Sequence, residues 1–85
     1  MLGDPVRRRI LELLADGDVA AGAVVDAVGR EFGITQPAVS QHLRVLRGAG
    51  VVRGARRGRE IEYSLTDDHI AHIVADAITH AREPS

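Results

Sequence analysis

A single tight turn at Gly33, set between two stretches of helical periodicity, constrains this chain more than any other feature. On its N-terminal side Val24, Ala27, Val28 and Phe32 fall on one face of a helix predicted from about Ala20 to Phe32. On its C-terminal side Thr35-Gln36-Pro37 supplies a capping hydroxyl and an early proline, so a second helix starts almost at once. Val39, Leu43 and Leu46 then point one way, and Gln36, Ser40, Gln41, Arg44 and Arg47 occupy the opposite face. The second helix thus has one face for a core and another made of hydrogen-bonding groups.

Helix, glycine turn, and a helix with an exposed face of Gln, Ser and Arg is the arrangement of a helix-turn-helix. The flanking segments extend it. Asp4-Pro5 reads as an N-cap with proline at the first helical position, and Val6, Ile10, Leu13 and Leu14 recur at helical spacing to about Ala15. Asp16-Gly17-Asp18 breaks that helix. Gly48 and Gly50 end the helix over about 35–48, after which Val51-Val52-Arg53 and the alternating segment from Glu60 to Leu65 read as strands. Between them the chain turns at Gly54 and Gly58, giving a hairpin over about 51–65 with an arginine-loaded tip. Thr66-Asp67-Asp68 caps a last helix over about 67–83, with Ile70, Ile73, Val74, Ala77, Ile78 and Ala81 in one stripe. The expected fold is mainly α with a small β-hairpin, a winged helix-turn-helix in one domain over residues 1–85.

At 85 residues the chain buries a modest core with a thin margin of stability, so support from a partner subunit is expected. The absence of cysteine excludes a disulfide framework, a thiolate metal site and a thiol nucleophile. No apolar run approaches the roughly 18 residues that cross a bilayer, and the N-terminus lacks the zones of a signal peptide. A soluble, cytoplasmic protein without membrane association is expected. Catalysis is not: Ser40, Gln41 and His42 diverge around their helix, and neither a Gly-rich phosphate loop nor paired buried acids can be found.

The net charge of -1 conceals a segregation along the chain. Residues 1–31 carry four Arg against six acids, residues 32–59 carry six Arg and no acid, and residues 60–85 carry one Arg against six acids. The acid-free window is the kind of surface that attracts phosphate. A helix in the major groove can read base edges with Gln and Arg and bond phosphates with Ser and Thr, which singles out Thr35, Gln36, Ser40, Gln41 and Arg44. The hairpin's Arg53, Arg56, Arg57 and Arg59 suit the DNA backbone or the minor groove. A winged-helix module that binds an acidic protein is the competing reading. Arg7-Arg8-Arg9 reads as a solvated face, and His42 as a packing residue on the flank of the recognition helix.

The segments RRRILELL, QPAVSQHLRVLRGAGVV and GREIEYSL, with the histidine-bearing tail, resemble the ArsR family of bacterial winged helix-turn-helix repressors over nearly the whole chain. The resemblance implies a homodimer, joined through terminal helices, that binds a two-fold symmetric operator in double-stranded DNA. Many members release DNA when a metal binds. On one helix His69 and His80 are separated by about 16.5 Å, too far to share an ion. Two copies packed antiparallel would place Asp67 and His69 of one subunit facing His80 and Glu83 of the other, because the pairs 69/80 and 67/83 have nearly equal sums. Two imidazoles and two carboxylates suit Zn2+ or a similar divalent ion. The spacing also resembles the C-terminal site of the family's zinc-sensing branch at Asp67, His69, His80 and Glu83. Against this, AVGREFGITQ is longer than the corresponding segment of the usual metal sensors and resembles a metal-independent branch. His72 pairs with nothing in either arrangement.

Overall fold

The computed structural model describes residues 4–66; the predicted C-terminal helix over about 67–83 lies outside the described residues. The element order is α1 (Pro5–Ala15), β1 (Val19–Ala20), α2 (Ala21–Phe32), α3 (Gln36–Gly48), β2 (Val52–Arg57) and β3 (Glu60–Leu65). Helix α1 starts as its sequence dictates. Asp4 Oδ1 accepts from the backbone N–H of Val6 at 2.9 Å and of Arg7 at 3.2 Å, and Pro5 occupies the first turn, where no N–H is needed. Those amide donors, that of Arg7 foremost, hold the Asp4 carboxyl below its ordinary pKa, with the nearby charges of His42 and Arg7 acting in the same direction.

Helix α2 ends at Gly33, whose φ of 63° and ψ of 36° are left-handed. The N–H of Ile34 returns to Gly29 O at 3.1 Å, which closes the turn within three residues of the start of α3. A side chain at position 33 would be strained there. Thr35 Oγ1 then accepts from Ala38 N at 3.3 Å and caps α3.

The core is shared by every layer: Ile10, Leu11 and Leu14 of α1, Val24 and Val28 of α2, Val39, Leu43 and Leu46 of α3, and Val52 and Tyr63 of the sheet. Burying each large aliphatic side chain stabilises the fold by about 1.5–3 kcal/mol. No polar or charged residue is buried among the described residues. Two sequence expectations shift by two positions. Leu11 is buried in place of Leu13, which is only packed against the core, and Ala27 of α2 is exposed while Val25 packs inward. In each case a nearby residue takes the core side of the helix.

The sheet has the strand order β1-β3-β2, all antiparallel. Two-residue β1 is not legible in the sequence; it pairs Val19 with Tyr63 and Ala20 with Glu62. Strand β2 is also longer than Val51–Arg53. Gly54 does not turn the chain but pairs with Tyr63, and the ladder continues to Arg57 opposite Glu60. The turn is therefore Gly58-Arg59 alone, with Gly58 at φ 63°, as a two-residue hairpin turn requires.

Gly54 is needed for packing. A Cβ there would lie 3.1 Å from Ile61 Cγ2 and 3.3 Å from Tyr63 Cε1, so the Tyr63 ring spans the space a side chain would fill. Gly54→Val is expected to displace that ring and cost about 1–3 kcal/mol. Ala55→Val, one residue along on the exposed side, should stay within about 0.5 kcal/mol of the parent. Thermal melts of the two variants check this, and equal effects would refute the packing role. A second expectation follows from the cap. Because the folded pKa of Asp4 is depressed, its charge contributes stability above the unfolded pKa, and that contribution is lost as pH falls through the folded value. The difference in melting temperature between the parent and Asp4→Asn should thus vanish as pH falls below about 4 and through the folded value; a difference that persists there would exclude the charge as its source.

Candidate nucleic-acid interface

Burial of Val39, Leu43 and Leu46 turns the other side of α3 outward. Gln36, Pro37, Gln41, Arg44 and Arg47 are exposed on it and Ser40 is half-buried between them. Thr35 is exposed at the N-terminus, with its hydroxyl oxygen already serving the cap but its proton free to be donated. Thr35, Gln36 and Ser40 lie at the cap and in the first turns of α3, where the backbone N–H groups and the positive end of the helix dipole also point. An anion approaching this end meets Gln36, Ser40 and the helix terminus together. Among the described residues Arg44 and Arg47 have no ion-pair partner.

The hairpin joins this face directly. Gly50 and Val51 donate to Arg47 O and Leu46 O at 3.0 and 3.2 Å, so the last turn of α3 runs straight into β2. Arg53, Arg56, Arg57 and Arg59 are all exposed. Arg53 Nε lies 3.5 Å from Ser64 Oγ and Arg57 Nε 3.6 Å from Glu62 Oε1. Arg56 and Arg59 have no ion-pair partner among the described residues.

The N-terminal arginines differ from the solvated face that their sequence suggests. Arg9 Nη1 lies 2.9 Å from Glu12 Oε1 and its Nε 2.8 Å from Glu31 Oε2, which ties α1 to the end of α2. These pairs hold the Arg9 guanidinium charged. Arg7 Nε donates to His42 Nδ1 at 3.2 Å, bracing α1 against the flank of α3. Arg7 and Arg9 are committed inside the protein.

Two residues outside the sequence-based selection border the interface. Arg47 extends the outward side of α3, and its i+3 spacing from Arg44 is the available signal. Arg30, at the end of α2, lines a shallow groove with Asp26, Gly29, Ile34 and Gln36. Its place in an acid-rich segment hides it. Asp67, His69, His80 and Glu83 lie outside the described residues. No cluster of three His, Asp or Glu side chains able to hold an ion is found among the described residues.

Residues 2–55 match the helix-turn-helix domain family. The HTH-type transcriptional repressor SmtB of Mycobacterium tuberculosis is 48% identical over 82 residues, which cover 96% of this chain and 58% of that repressor. The chain spans about three fifths of the length of the curated relatives it matches. The crystal structure of M. tuberculosis Rv0081 superposes with a TM-score of 0.81 at 38% identity, covering 94% of this chain and 77% of that one. The solution structure of the homodimeric winged helix-turn-helix DNA-binding domain of Mb0332 from Mycobacterium bovis, described as a possible ArsR-family regulator, gives 0.80 at 29% identity, covering 94% and 70%. Matched in family over more than half its residues and in sequence over nearly all of them, the chain belongs to the ArsR family of winged helix-turn-helix transcriptional regulators.

Proposed function

We propose that this chain is a sequence-specific DNA-binding repressor that acts as a homodimer on a two-fold symmetric operator. The observation that carries the reading is the outward side of α3: Gln36, Ser40, Gln41 and Arg44 presented on a helix whose rotation the core fixes, in a stretch with no acidic residue. Gln36, Gln41 and Arg44 have the donors and reach for base edges in the major groove, while Thr35 and Ser40 serve the phosphates near the helix N-terminus. The hairpin arginines add charge on one flank. The likeness to the homodimeric Mb0332 domain supports a dimer, and two copies of α3 would then read half-sites about one helical turn apart. No enzymatic activity is proposed. Among the described residues no helix is long and apolar enough to cross a membrane.

The finer proposal concerns regulation. Asp67, His69, His80 and Glu83 offer two imidazoles and two carboxylates, a donor set that suits Zn2+ or a similar divalent ion shared between subunits. An ion that binds the DNA-free arrangement better weakens DNA binding by the same factor. The long segment before Thr35 supports the other reading, repression without a metal.

Two measurements test these proposals. Binding of a mixed-sequence duplex should weaken steeply with salt, and Arg44→Ala should weaken it further, by about 1–3 kcal/mol on a preferred site. A flat salt response would favour an acidic protein partner. Equilibrium dialysis with Zn2+ should find one ion per subunit, lost in His69→Ala and in His80→Ala alike, and lost progressively below about pH 6.5 as the imidazoles protonate. Stoichiometry that survives either substitution excludes the shared site, and no binding at all supports the metal-independent repressor.

A further inference from the structure

The hairpin's arginines do not form one surface. Strand pairing sets Val52 opposite Leu65, Gly54 opposite Tyr63 and Arg56 opposite Ile61, and directly opposed residues share a face of the sheet. Val52 and Tyr63 belong to the core, so this is the inner face, against which the helices pack. Arg53, Ala55 and Arg57 lie on the outer face, opposite Ser64, Glu62 and Glu60. The charges of the outer face are matched. Two arginines share it with two glutamates, and Arg53 and Arg57 reach Ser64 and Glu62.

The inner face is different. Past Tyr63 it carries Arg56, with no ion-pair partner among the described residues, and beside it Ile61, 40% exposed and the one large exposed apolar side chain among them. Every residue from Arg53 to Ile61 is exposed, so this end of the hairpin projects beyond the helices. Helix α3 sits on the inner side of the sheet. A rod-like partner that touches the outward side of α3 and the hairpin in one pose therefore meets the hairpin on its inner face and at its turn. The outer face looks away.

We propose that duplex DNA lies against the inner face and turn of the hairpin, with Arg56 and Arg59 as its phosphate contacts and Ile61 as an apolar contact to the groove wall. Arg53 and Arg57 stiffen the strand pair and keep the exposed edge of β2 charged, which discourages pairing with another chain. This assignment rests on the DNA-binding reading above.

The experiment is a salt series on a labelled mixed-sequence duplex, with the full chain and single variants. Arg56→Gln and Arg59→Gln should each flatten the log-log slope by about 0.9 per bound chain, because each removes one phosphate contact. Arg53→Gln and Arg57→Gln should leave the slope unchanged. Ile61→Ala should weaken binding severalfold at constant slope, since an apolar contact releases no counterion, and should leave the melting temperature near that of the parent because Ile61 is already exposed. Slope losses at Arg53 or Arg57, or equal losses at all four arginines, would overturn the assignment while leaving the DNA-binding reading intact. A parent chain that binds no duplex, or binds it with no salt dependence, overturns both.

Discussion

The rotation of α3 about its own axis is the constraint on which the rest of the structure depends. Val39, Leu43 and Leu46 occupy the junction of the other elements, within a core drawn from α1, α2 and the sheet. Advancing the helix by one residue would rotate it by about 100° and drive charged or polar groups toward that junction. An unpaired guanidinium there would cost far more than the apolar burial it displaced. The outward presentation of Gln41 and Arg44 is thus a consequence of packing on the other side of the helix. Axial position is fixed separately, by the left-handed Gly33 and the Thr35 cap.

Two polar braces reinforce that placement. Arg7 reaches His42 on the flank of α3, and Arg9 joins Glu12 to Glu31, so the N-terminal helix is held to both halves of the helix-turn-helix. The exposed Arg9–Glu31 pair contributes about 1 kcal/mol or less, and burial of the apolar side chains outweighs it. What the braces add is direction. They fix how α1 lies across α3, and the two glutamates remove Arg9 from the supply of free cations. The sheet contributes in the same way: Tyr63 spans the gap over Gly54, anchoring the hairpin at its base while its far end stays outside the core.

Helical periodicity makes α1, α2 and α3 legible because a 3.6-residue repeat over eleven to thirteen residues is redundant, and the caps Asp4, Gly33 and Thr35 mark their ends. The outward residues of α3 follow from the same period. The hairpin is harder to read. Glycine in a sequence signals either a turn or a close approach, and nothing local distinguishes Gly58, which turns the chain, from Gly54, which makes room for a ring supplied by another strand. The pairing partners of Arg7 and Arg9 are hidden for a related reason: His42 and Glu31 are distant in sequence, and a run of like charges gives no hint of which member a remote group will meet. β1 has two residues and is defined only by its neighbour.

The charge pattern acquires its meaning only on this fold. A chain with net charge -1 should be indifferent to a polyanion, yet its acid-free stretch covers α3 and β2, and the acids before it are partly consumed by Arg9. Unpaired cationic side chains thereby collect on the α3 and hairpin side, while the carboxylates of α1, α2 and the outer face of β3 share their elements with arginines that offset them. Such a segregated arrangement orients the molecule more than it attracts it. At physiological ionic strength charges are screened beyond about 8 Å, so the field acts only once the surfaces are nearly in contact. At that range an approach by α1 or α2 meets carboxylates and arginines that largely offset one another, whereas an approach by α3 meets guanidinium groups with no ion-pair partner among the described residues. Low overall charge combined with local segregation therefore favours orientation-selective binding, in which weak long-range attraction limits attachment through the wrong face.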